Sequence, residues 1–345
     1  MVGKDKQQRY LGLQALRAIA AILVVIQHAV YFSCLATGTD SIGFRHLQLG
    51  TTGVFIFFVI SGAVMALLSN EGPRAFALSR LTRIYPAFFL ALAAASIVLS
   101  IAGTPPQITA DASLLLLPSG TLNSSFNIPY WTLIYEMQFY FLLWLAILCR
   151  TSHQQRMWLA VAWAVVILAA GAARVAVPVA NPTATQIPLV GVNLFFIIGY
   201  VMASGMMTKD WRPFFTLLVL TSIMSVYANA WSGTYLGLAV LSASAVFVAL
   251  KIDAGSVPKW LGKAGDYSYG LYLAHLPIIF AIYTLAPGWP LWAMVVAMLC
   301  AGLAGGLMFG RLEQWLYDKY WRPVAKTARS VQDLDLKPVT GDITG

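Results

Sequence analysis

The sequence predicts an all-α fold, a polytopic membrane bundle of about ten transmembrane helices with both termini in the cytoplasm. Composition is the first observation behind this prediction. Of the 345 residues, 59% are hydrophobic and only 10% are charged, and the mean hydropathy is +0.74. A soluble domain carries about 25% charged residues, so the composition excludes a pair of globular domains and indicates an integral membrane protein.

Ten apolar runs of roughly 17 to 25 residues are the second observation, since each is long enough to cross a bilayer as a helix. We place them at residues 12–33, 50–69, 81–101, 130–149, 157–177, 187–206, 213–229, 233–250, 267–286 and 291–311. The boundary between the seventh and eighth runs is the least marked of these. An even number of crossings puts both termini on one side of the membrane.

The distribution of basic residues is the third observation. Lys and Arg concentrate at one set of helix ends, in segments 4–9, 74–83, 150–156, 209–212, 251–263 and 319–329. Only Arg45 and Arg174 fall in the alternate loops. The positive-inside rule therefore places the termini in the cytoplasm. This topology also accounts for the net charge of +9, and we predict no nucleic-acid partner.

The remaining features predict one folded domain. The first ten residues are polar, and the apolar run after them is too long for a signal peptide and lacks a small-residue cleavage site. Cys34, Cys149 and Cys300 match neither a disulfide framework nor a metal-ligand spacing, so we predict no metal site. We divide the chain into a single transmembrane domain, 1–320, and a polar cytoplasmic tail, 321–345, with no fold of its own.

Arg17 and His28 in the first run are the most informative pair of residues. Eleven residues at about 100° each return the two side chains to within roughly 20° of one helix face, separated by about 16 Å of rise. Ionisable residues at membrane depth are costly and normally face protein or water. A snorkelling Arg and a hydrogen-bonded packing His are the alternative. We favour a functional role, in which Arg17 and His28 mark a path along one helix face from the membrane edge to a reactive base.

Arg80 and Arg83 stand at the cytoplasmic entry of the third run, within the sequence RLTRIYP. Their i, i+3 spacing puts both side chains on one helix face. Taken alone, the pair would indicate positive-inside anchoring. Arg17, however, lies within the first turns of its own helix at the same depth. Three guanidinium groups at that depth would form a phosphate-sized anion site.

Glu136 is the only acidic residue deep within an apolar run. Its helix enters from outside, so Glu136 should lie roughly 9 Å below the outer end, and His28 roughly 7 Å below its own outer end. If the two side chains lie at the same depth in the membrane, the Glu136 carboxylate would fix the tautomer of the His28 imidazole and raise the basicity of that ring. The alternative is a protonated Glu that satisfies a neighbouring Ser or backbone group.

Aromatic and imidazole side chains flank these charges. We expect Trp131, Tyr135, Tyr272 and His275 to contact substrate, with Tyr272 and His275 lining a cavity three residues apart. For His275, a structural role beside the kink of the following proline is an equal alternative. The small residues of the second run suit close helix packing, and we assign that run to the core.

Five motifs occur in the order LQALRAIAAILVVIQH, GVFIFFVISG, RLTRIYP, WTLIYEMQFY and GDYSYGLYLAHLP. Together they resemble the acyltransferase-3 family of bacterial integral-membrane O-acyltransferases, in particular the members associated with exopolysaccharide production. The resemblance covers nearly the whole chain. The Arg-x10-His pair of the family carries over to Arg17 and His28, its basic motif to Arg80 and Arg83, and its essential Glu to Glu136.

The resemblance implies transfer of an acyl group, most often acetyl, from cytoplasmic acyl-CoA to a sugar hydroxyl of a polysaccharide at a bacterial inner membrane. Acyl-CoA would be a co-substrate, and no cofactor would be bound permanently. The other implied partners are a carbohydrate acceptor, membrane lipid and the polysaccharide-synthesis machinery. The acceptor would approach under the long outer connection 102–129, a length typical of functional lids or mobile loops. Many family members have an Asp where this chain has Phe55, so any contribution of that acid is absent here.

The predicted roles follow from both lines of reasoning. The three arginines would hold the nucleotide phosphates, and His28 would act as general base or as a nucleophile that forms an acyl-imidazole, oriented by Glu136. One alternative is a secondary transporter or exporter of a lipid-linked sugar, in which these charges form a proton relay. Transporters usually show repeated halves, which we do not see in this sequence. Another alternative is a scaffold of a polysaccharide synthase, which would gain nothing from buried charges.

Overall fold

A computed structural model describes residues 11–107, 111–227 and 233–327 of the chain. It is 79% helical, and no strand forms within these ranges. The predicted basic segment 4–9, most of the boundary between the seventh and eighth runs, and the end of the predicted tail lie outside them. The described residues confirm the all-α polytopic bundle.

The helices follow one another with few other elements between them. They are α1 (Leu11–Thr37), α2 (Ile42–Arg45), α3 (Leu49–Leu68), α4 (Pro73–Ile101), α5 (Trp131–Leu148), α6 (His153–Ala172), α7 (Asn193–Thr208), α8 (Arg212–Tyr227), α9 (Gly233–Lys251), α10 (Lys259–Asp266), α11 (Ser268–Leu285) and α12 (Leu291–Leu316). Eight helical segments are long and apolar enough to span a membrane, and α7 and α8 are shorter apolar helices. Each of the ten predicted runs therefore corresponds to one helix.

Several helix boundaries differ from the prediction. Helix α4 begins at Pro73, where proline suits the first helical position, rather than at residue 81. Helix α7 begins at Asn193 rather than at residue 187, because Ile187–Leu189 form a separate 3-10 turn. The amide of Asn193 donates to the carbonyl oxygens of Ile187, at 2.7 Å, and Val190, at 3.1 Å, and so fixes the end of that turn.

The end of the folded chain also differs from the prediction. A π-helical segment, Tyr317–Trp321, follows α12, and helical residues continue to Thr327. The prediction that the tail has no fold from residue 321 is therefore wrong for its first residues. The physical reason is an amphipathic turn, in which Ala325 packs at 4% exposure while Lys326 beside it is exposed.

Glycines allow the central helices to approach closely. Helix α3 packs against α1 and α7, and α11 packs against α12. A Cβ atom added at Gly62 of α3 would lie 2.1 Å from the Phe196 carbonyl oxygen, and one at Gly199 of α7 would lie 2.0 Å from that of Val59. The α3–α7 contact thus depends on the absence of side chains at both positions, in agreement with a packing role for the second run.

The connection between α4 and α5 folds into the bundle instead of lying on its surface. Leu116, Phe126, Ile128 and Tyr130 are 1%, 3%, 5% and 0% exposed. The Tyr130 hydroxyl donates to the carbonyl oxygen of Asn123 at 3.0 Å and so ties the end of the connection to its middle. The described part of this connection is consequently a packed wall of the bundle.

Asp111 fixes the start of this wall. Its Oδ1 accepts hydrogen bonds from the backbone N–H of Ser113, at 2.8 Å, and from the hydroxyl of Thr121, at 3.0 Å. Burial alone would raise the pKa of Asp111, but these hydrogen bonds outweigh it and hold the pKa below its usual value. The carboxylate is therefore retained as an acceptor that ties two parts of the connection together.

Contacts of the first turn of α5 show how deep this helix begins. The hydroxyls of Thr132 and Tyr272 are 2.9 Å apart, and Tyr272 also donates to the Pro129 carbonyl at 3.1 Å. Tyr272 lies only about 6 Å along α11 from its first residue, Ser268. Helix α5 is therefore displaced toward the end of the bundle at which α1 and α11 begin.

Candidate functional site

A cavity of about 630 Å³ enters the bundle at the end where α1 begins. We call this end the basic end, because Lys263, Arg322 and Lys326 line the mouth of the cavity there. The inner part is lined by less polar side chains, among them Phe57 and Tyr272. The cavity thus joins a charged mouth to a largely apolar interior.

Arg17, Arg80 and Arg83 all line this cavity, so the structure brings the three predicted arginines together. Arg17 comes from α1, and its buried Nε atom has no hydrogen-bond partner among the described residues. Arg80 comes from α4, donates from Nε to the hydroxyl of Ser79 at 3.3 Å, and lies over the ring of Tyr140 at 5.8 Å. Of these two arginines, Arg17 is therefore the one whose Nε–H donor has no acceptor among the described residues.

Arg83 is held by a partner that the sequence analysis missed. Its guanidinium forms an ion pair with Glu313 at 2.6 Å, and the two side chains are 21% and 3% exposed. The rings of Tyr269 and Tyr317 lie 5.0 and 4.8 Å from the guanidinium carbon. The predicted tenth run ended at residue 311, just before Glu313. Glu313 therefore offsets the charge of Arg83 at the wall of the cavity.

Glu136 lies in the same cavity as the arginines and not beside His28. Its Oε1 atom accepts a hydrogen bond from Ser61 at 3.0 Å and another from Tyr140. The predicted His28–Glu136 pair is not formed. The depth estimate failed because it assumed that α5 begins at the outer surface, whereas the α4–α5 connection pushes the start of α5 into the bundle. Tyr140, one turn after Glu136 in the same motif, was an available signal for this contact.

His28 pairs instead with a second imidazole, that of His275 on α11. The Nδ1 atom of His28 and the Nε2 atom of His275 are 3.0 Å apart, and the ring centroids are separated by 5.1 Å. His275 is fully buried, while His28 is partly exposed. The two histidines singled out in the sequence thus form one unit across α1 and α11.

The histidine pair lies beyond the inner end of the cavity. Neither His28 nor His275 is among the residues that line it, whereas Tyr272 is. The ring centroids of Tyr272 and His275 are 6.1 Å apart. One aromatic layer, Tyr272, therefore separates the arginine-lined cavity from the imidazoles.

Trp131 and Tyr135 belong to the packed core near this site. The Trp131 and Phe58 rings are perpendicular, at a centroid distance of 6.5 Å. Tyr135 is 0% exposed, and its hydroxyl donates to the Val179 carbonyl at 2.6 Å. Neither residue lines the cavity. Of the four predicted substrate contacts, Tyr272 alone reaches it.

Phe55 faces away from the cavity. It is 3% exposed, and its ring stacks on that of Phe195 at a centroid distance of 3.8 Å. Its neighbours Val54 and Phe57 line the cavity, but Phe55 does not. The side chain at this position therefore meets α7 in the core, which suits an aromatic residue and not an unpaired acid.

Comparison with known proteins fits this arrangement. The family profile described as an acyltransferase domain matches residues 10–311, which include Arg17, His28, Arg80, Glu136 and His275. The acyltransferase MdmB of Streptomyces mycarofaciens is 25% identical over 348 residues, which cover 87% of this chain and 89% of MdmB. No solved structure matches the chain significantly. With its site and most of its helices inside the matched segment, the chain belongs to the acyltransferase-3 family and is a multi-pass membrane acyltransferase.

Proposed function

We propose that the protein transfers an acyl group, acetyl in the simplest case, from acyl-CoA to a hydroxyl of a carbohydrate. The observation that carries this proposal is the buried Nε of Arg17, which has no partner among the described residues and belongs to a side chain lining a ligand-sized cavity. The Arg17 side chain is half-buried and forms no ion pair among the described residues, and a cation removed from water is costly unless an anion pairs with it. A phosphate-bearing donor supplies that anion, and guanidinium groups bind phosphate through charge-assisted hydrogen bonds.

The shape of the cavity supports acyl-CoA as this donor. Coenzyme A has phosphates at one end and its thioester at the end of a long pantetheine arm. In our proposal the phosphates bind at the basic end, near Arg17 and Arg80, and the arm extends along the apolar wall toward Tyr272. The rise of about 16 Å from Arg17 to His28 then separates the phosphate site from the reacting group.

His28 is the proposed reacting group, by one of two routes. As a general base, one ring nitrogen takes the hydroxyl proton while the hydroxyl oxygen bonds to the thioester carbon; the C–S bond breaks, and the leaving thiolate takes that proton. As a nucleophile, the nitrogen first bonds to the acyl carbon and the C–S bond breaks to release the thiolate; the hydroxyl oxygen then attacks that carbon, the C–N bond breaks, and the hydroxyl proton passes to the thiolate. Both routes require a lone pair on one nitrogen. Glu136 lies in the cavity with the arginines, where the donor is proposed to bind, and offsets part of their charge.

The topology of the reaction follows from the charge distribution. The basic end faces the cytoplasm by the positive-inside rule, so the donor enters from the side where acyl-CoA is made. We place the protein in the inner membrane of a bacterium. The acceptor, a surface or exported polysaccharide or its lipid-linked precursor, then approaches from the other side, beside the α4–α5 connection.

Transfer is tested with the full-length protein in lipid nanodiscs. Acetyl-CoA labelled in the acetyl group is mixed with surface polysaccharide of the source strain that has been treated with alkali to remove its esters. We expect label in the polysaccharide and release of free coenzyme A in equal amounts. His28→Ala should abolish both, whereas His46→Ala, an exposed histidine outside the cavity, should not. Unlabelled polysaccharide and intact acetyl-CoA would contradict the proposal.

The same preparation distinguishes a transporter. A secondary transporter reconstituted in sealed vesicles would move a sugar or lipid-linked sugar across the membrane without consuming acetyl-CoA. Vesicle uptake that is independent of acetyl-CoA, together with no release of free coenzyme A, would favour that alternative.

A further inference from the structure

The contact between His28 and His275 determines which nitrogen of His28 carries the lone pair. The argument starts at His275, whose Nδ1 lies 3.1 Å from the carbonyl oxygen of Leu271, one turn earlier on α11. A carbonyl oxygen only accepts hydrogen bonds, so the proton of this contact belongs to Nδ1 of His275.

The second nitrogen of His275 follows from its burial. The ring is 0% exposed, and neither His275 nor His28 takes part in an ion pair among the described residues. A doubly protonated imidazole there would be a buried charge without a counter-charge, which is costly. His275 is therefore neutral, and with its proton on Nδ1 its Nε2 carries a lone pair.

The carbonyl oxygen of Val24, one turn earlier on α1, is a second acceptor near the ring of His28. The contact with His275 assigns the tautomer of His28. Its Nδ1 lies 3.0 Å from the Nε2 atom of His275, and that atom can only accept. Nδ1 of His28 must donate and holds the single proton of a neutral ring. The lone pair of His28 is consequently on Nε2.

We infer that His275 is a positioning residue that presents Nε2 of His28 as the reacting atom. This inference rests on the proposed function, in which His28 is the base or nucleophile. When Nε2 takes the hydroxyl proton or the acyl group, the ring becomes positively charged, and its Nδ1–H still donates to His275. No proton passes to His275. The orienting role expected of Glu136 thus belongs to His275, which is not a substrate contact.

Nitrogen-15 NMR of the full-length protein in nanodiscs tests the tautomer without any assay of activity. The chain has four histidines, and the spectrum of His28→Ala identifies the signals of His28 by their loss. We expect the unprotonated nitrogen of His28 to couple to both ring carbon-bound protons, as Nε2 does. An unprotonated nitrogen coupled to only one of them would place the lone pair on Nδ1 and overturn the inference.

Two substitutions of His275 test its effect on the reaction. His275→Gln places an amide oxygen near the position of Nε2 and keeps an acceptor for His28, whereas His275→Leu has a similar volume and no acceptor. We expect His275→Leu to lower kcat by about 10- to 100-fold, the usual effect of losing an orienting partner, with an unchanged KM for acetyl-CoA. His275→Gln should restore kcat to within a few-fold of the natural chain. A purely structural role would lower both variants alike.

The outcomes separate this inference from the proposed function. If His28→Ala is inactive but His275→Leu has a normal kcat, His28 remains the reacting residue and the role of His275 is refuted. If His28→Ala is fully active, the proposed function fails first, and the positioning role of His275 is overturned with it. The NMR result on the natural chain does not depend on whether either substitution of His275 folds.

Discussion

Arg17 and Arg83 line one cavity but differ in what already binds them. Arg83 has a carboxylate partner in Glu313, whereas Nε of Arg17 has no partner in the described part of the chain. Because a ligand gains most from a group that has no competing partner, the two arginines should respond differently to substitution. This difference yields one binding prediction and one stability prediction.

Arg17→Gln should weaken coenzyme A binding by about tenfold or more, the effect of losing a hydrogen bond to a charged group, without lowering thermal stability. Isothermal titration with coenzyme A measures the change in Kd. Arg174→Gln, at the opposite end of the bundle, is the matched control and should bind like the natural chain. Equal affinities of Arg17→Gln and this control would exclude Arg17 from the phosphate site.

Arg83→Ala should destabilise the protein, because it leaves Glu313 buried at 3% exposure without its counter-charge. Removing one partner of a buried ion pair costs about 3–5 kcal/mol. We expect a lower thermal unfolding temperature in detergent and a substantial recovery when Glu313→Gln is added. A single variant as stable as the natural chain would show that the pair contributes nothing to stability.

At the scale of elements, one of the close backbone contacts in the core is that between α3 and α7. Gly62 and Gly199 bring one helix against the carbonyl oxygens of the other, and Phe55, Phe58, Phe195 and Phe196 stack around them. This contact holds the part of α3 that lines the cavity. The geometry of the cavity therefore depends on the stability of the α3–α7 contact.

Gly62→Ala should destabilise the bundle by about 1–3 kcal/mol, since the added methyl group meets the backbone of α7 and the helices must move apart. Gly237→Ala on α9 is the matched control, because nothing lies within 4 Å of its added Cβ. In a helix, alanine is favoured over glycine by about 1 kcal/mol, so the control should be neutral or stabilised. Thermal unfolding in the same detergent compares the two variants.

At the scale of the whole molecule, the site is divided along the membrane normal. The arginine-lined cavity lies at the basic end, and the histidine pair lies beyond its inner wall, deeper in the bundle. Donor and acceptor therefore have separate approaches in our proposal. In that proposal, the separation gives the reaction a direction across the membrane.

Sealed vesicles of known orientation test that direction. Labelled acetyl-CoA supplied only on the side of the basic end should label an acceptor polysaccharide confined to the other side, because the acyl group passes through the protein. The control is the opposite arrangement of donor and acceptor, which should give no label. If labelling requires both substrates on one side, the transfer across the membrane is refuted.

Local features were predictable from the sequence, and features that depend on packing between helices were not. The helices and the clustering of Arg17, Arg80 and Arg83 follow from periodicity and from position within each helix. The depth of Glu136 depends on where α5 begins, which the buried α4–α5 connection decides. The pairing of His28 with His275 joins helices far apart in sequence, so no spacing revealed it.

The α4–α5 connection has a consequence for how the two sides of the membrane communicate. The barrier between the inner end of the cavity and the far side is partly loop, held by short-range hydrogen bonds such as that of Tyr130, and not only long helices. Local opening of a loop involves a small part of the folding free energy, whereas exchanging two bundle arrangements disturbs the whole core. An acyl group is also far smaller than a sugar. In the proposed reaction, the fold would therefore pass a small chemical group across the membrane through a brief local fluctuation while the bundle remains in a single conformation.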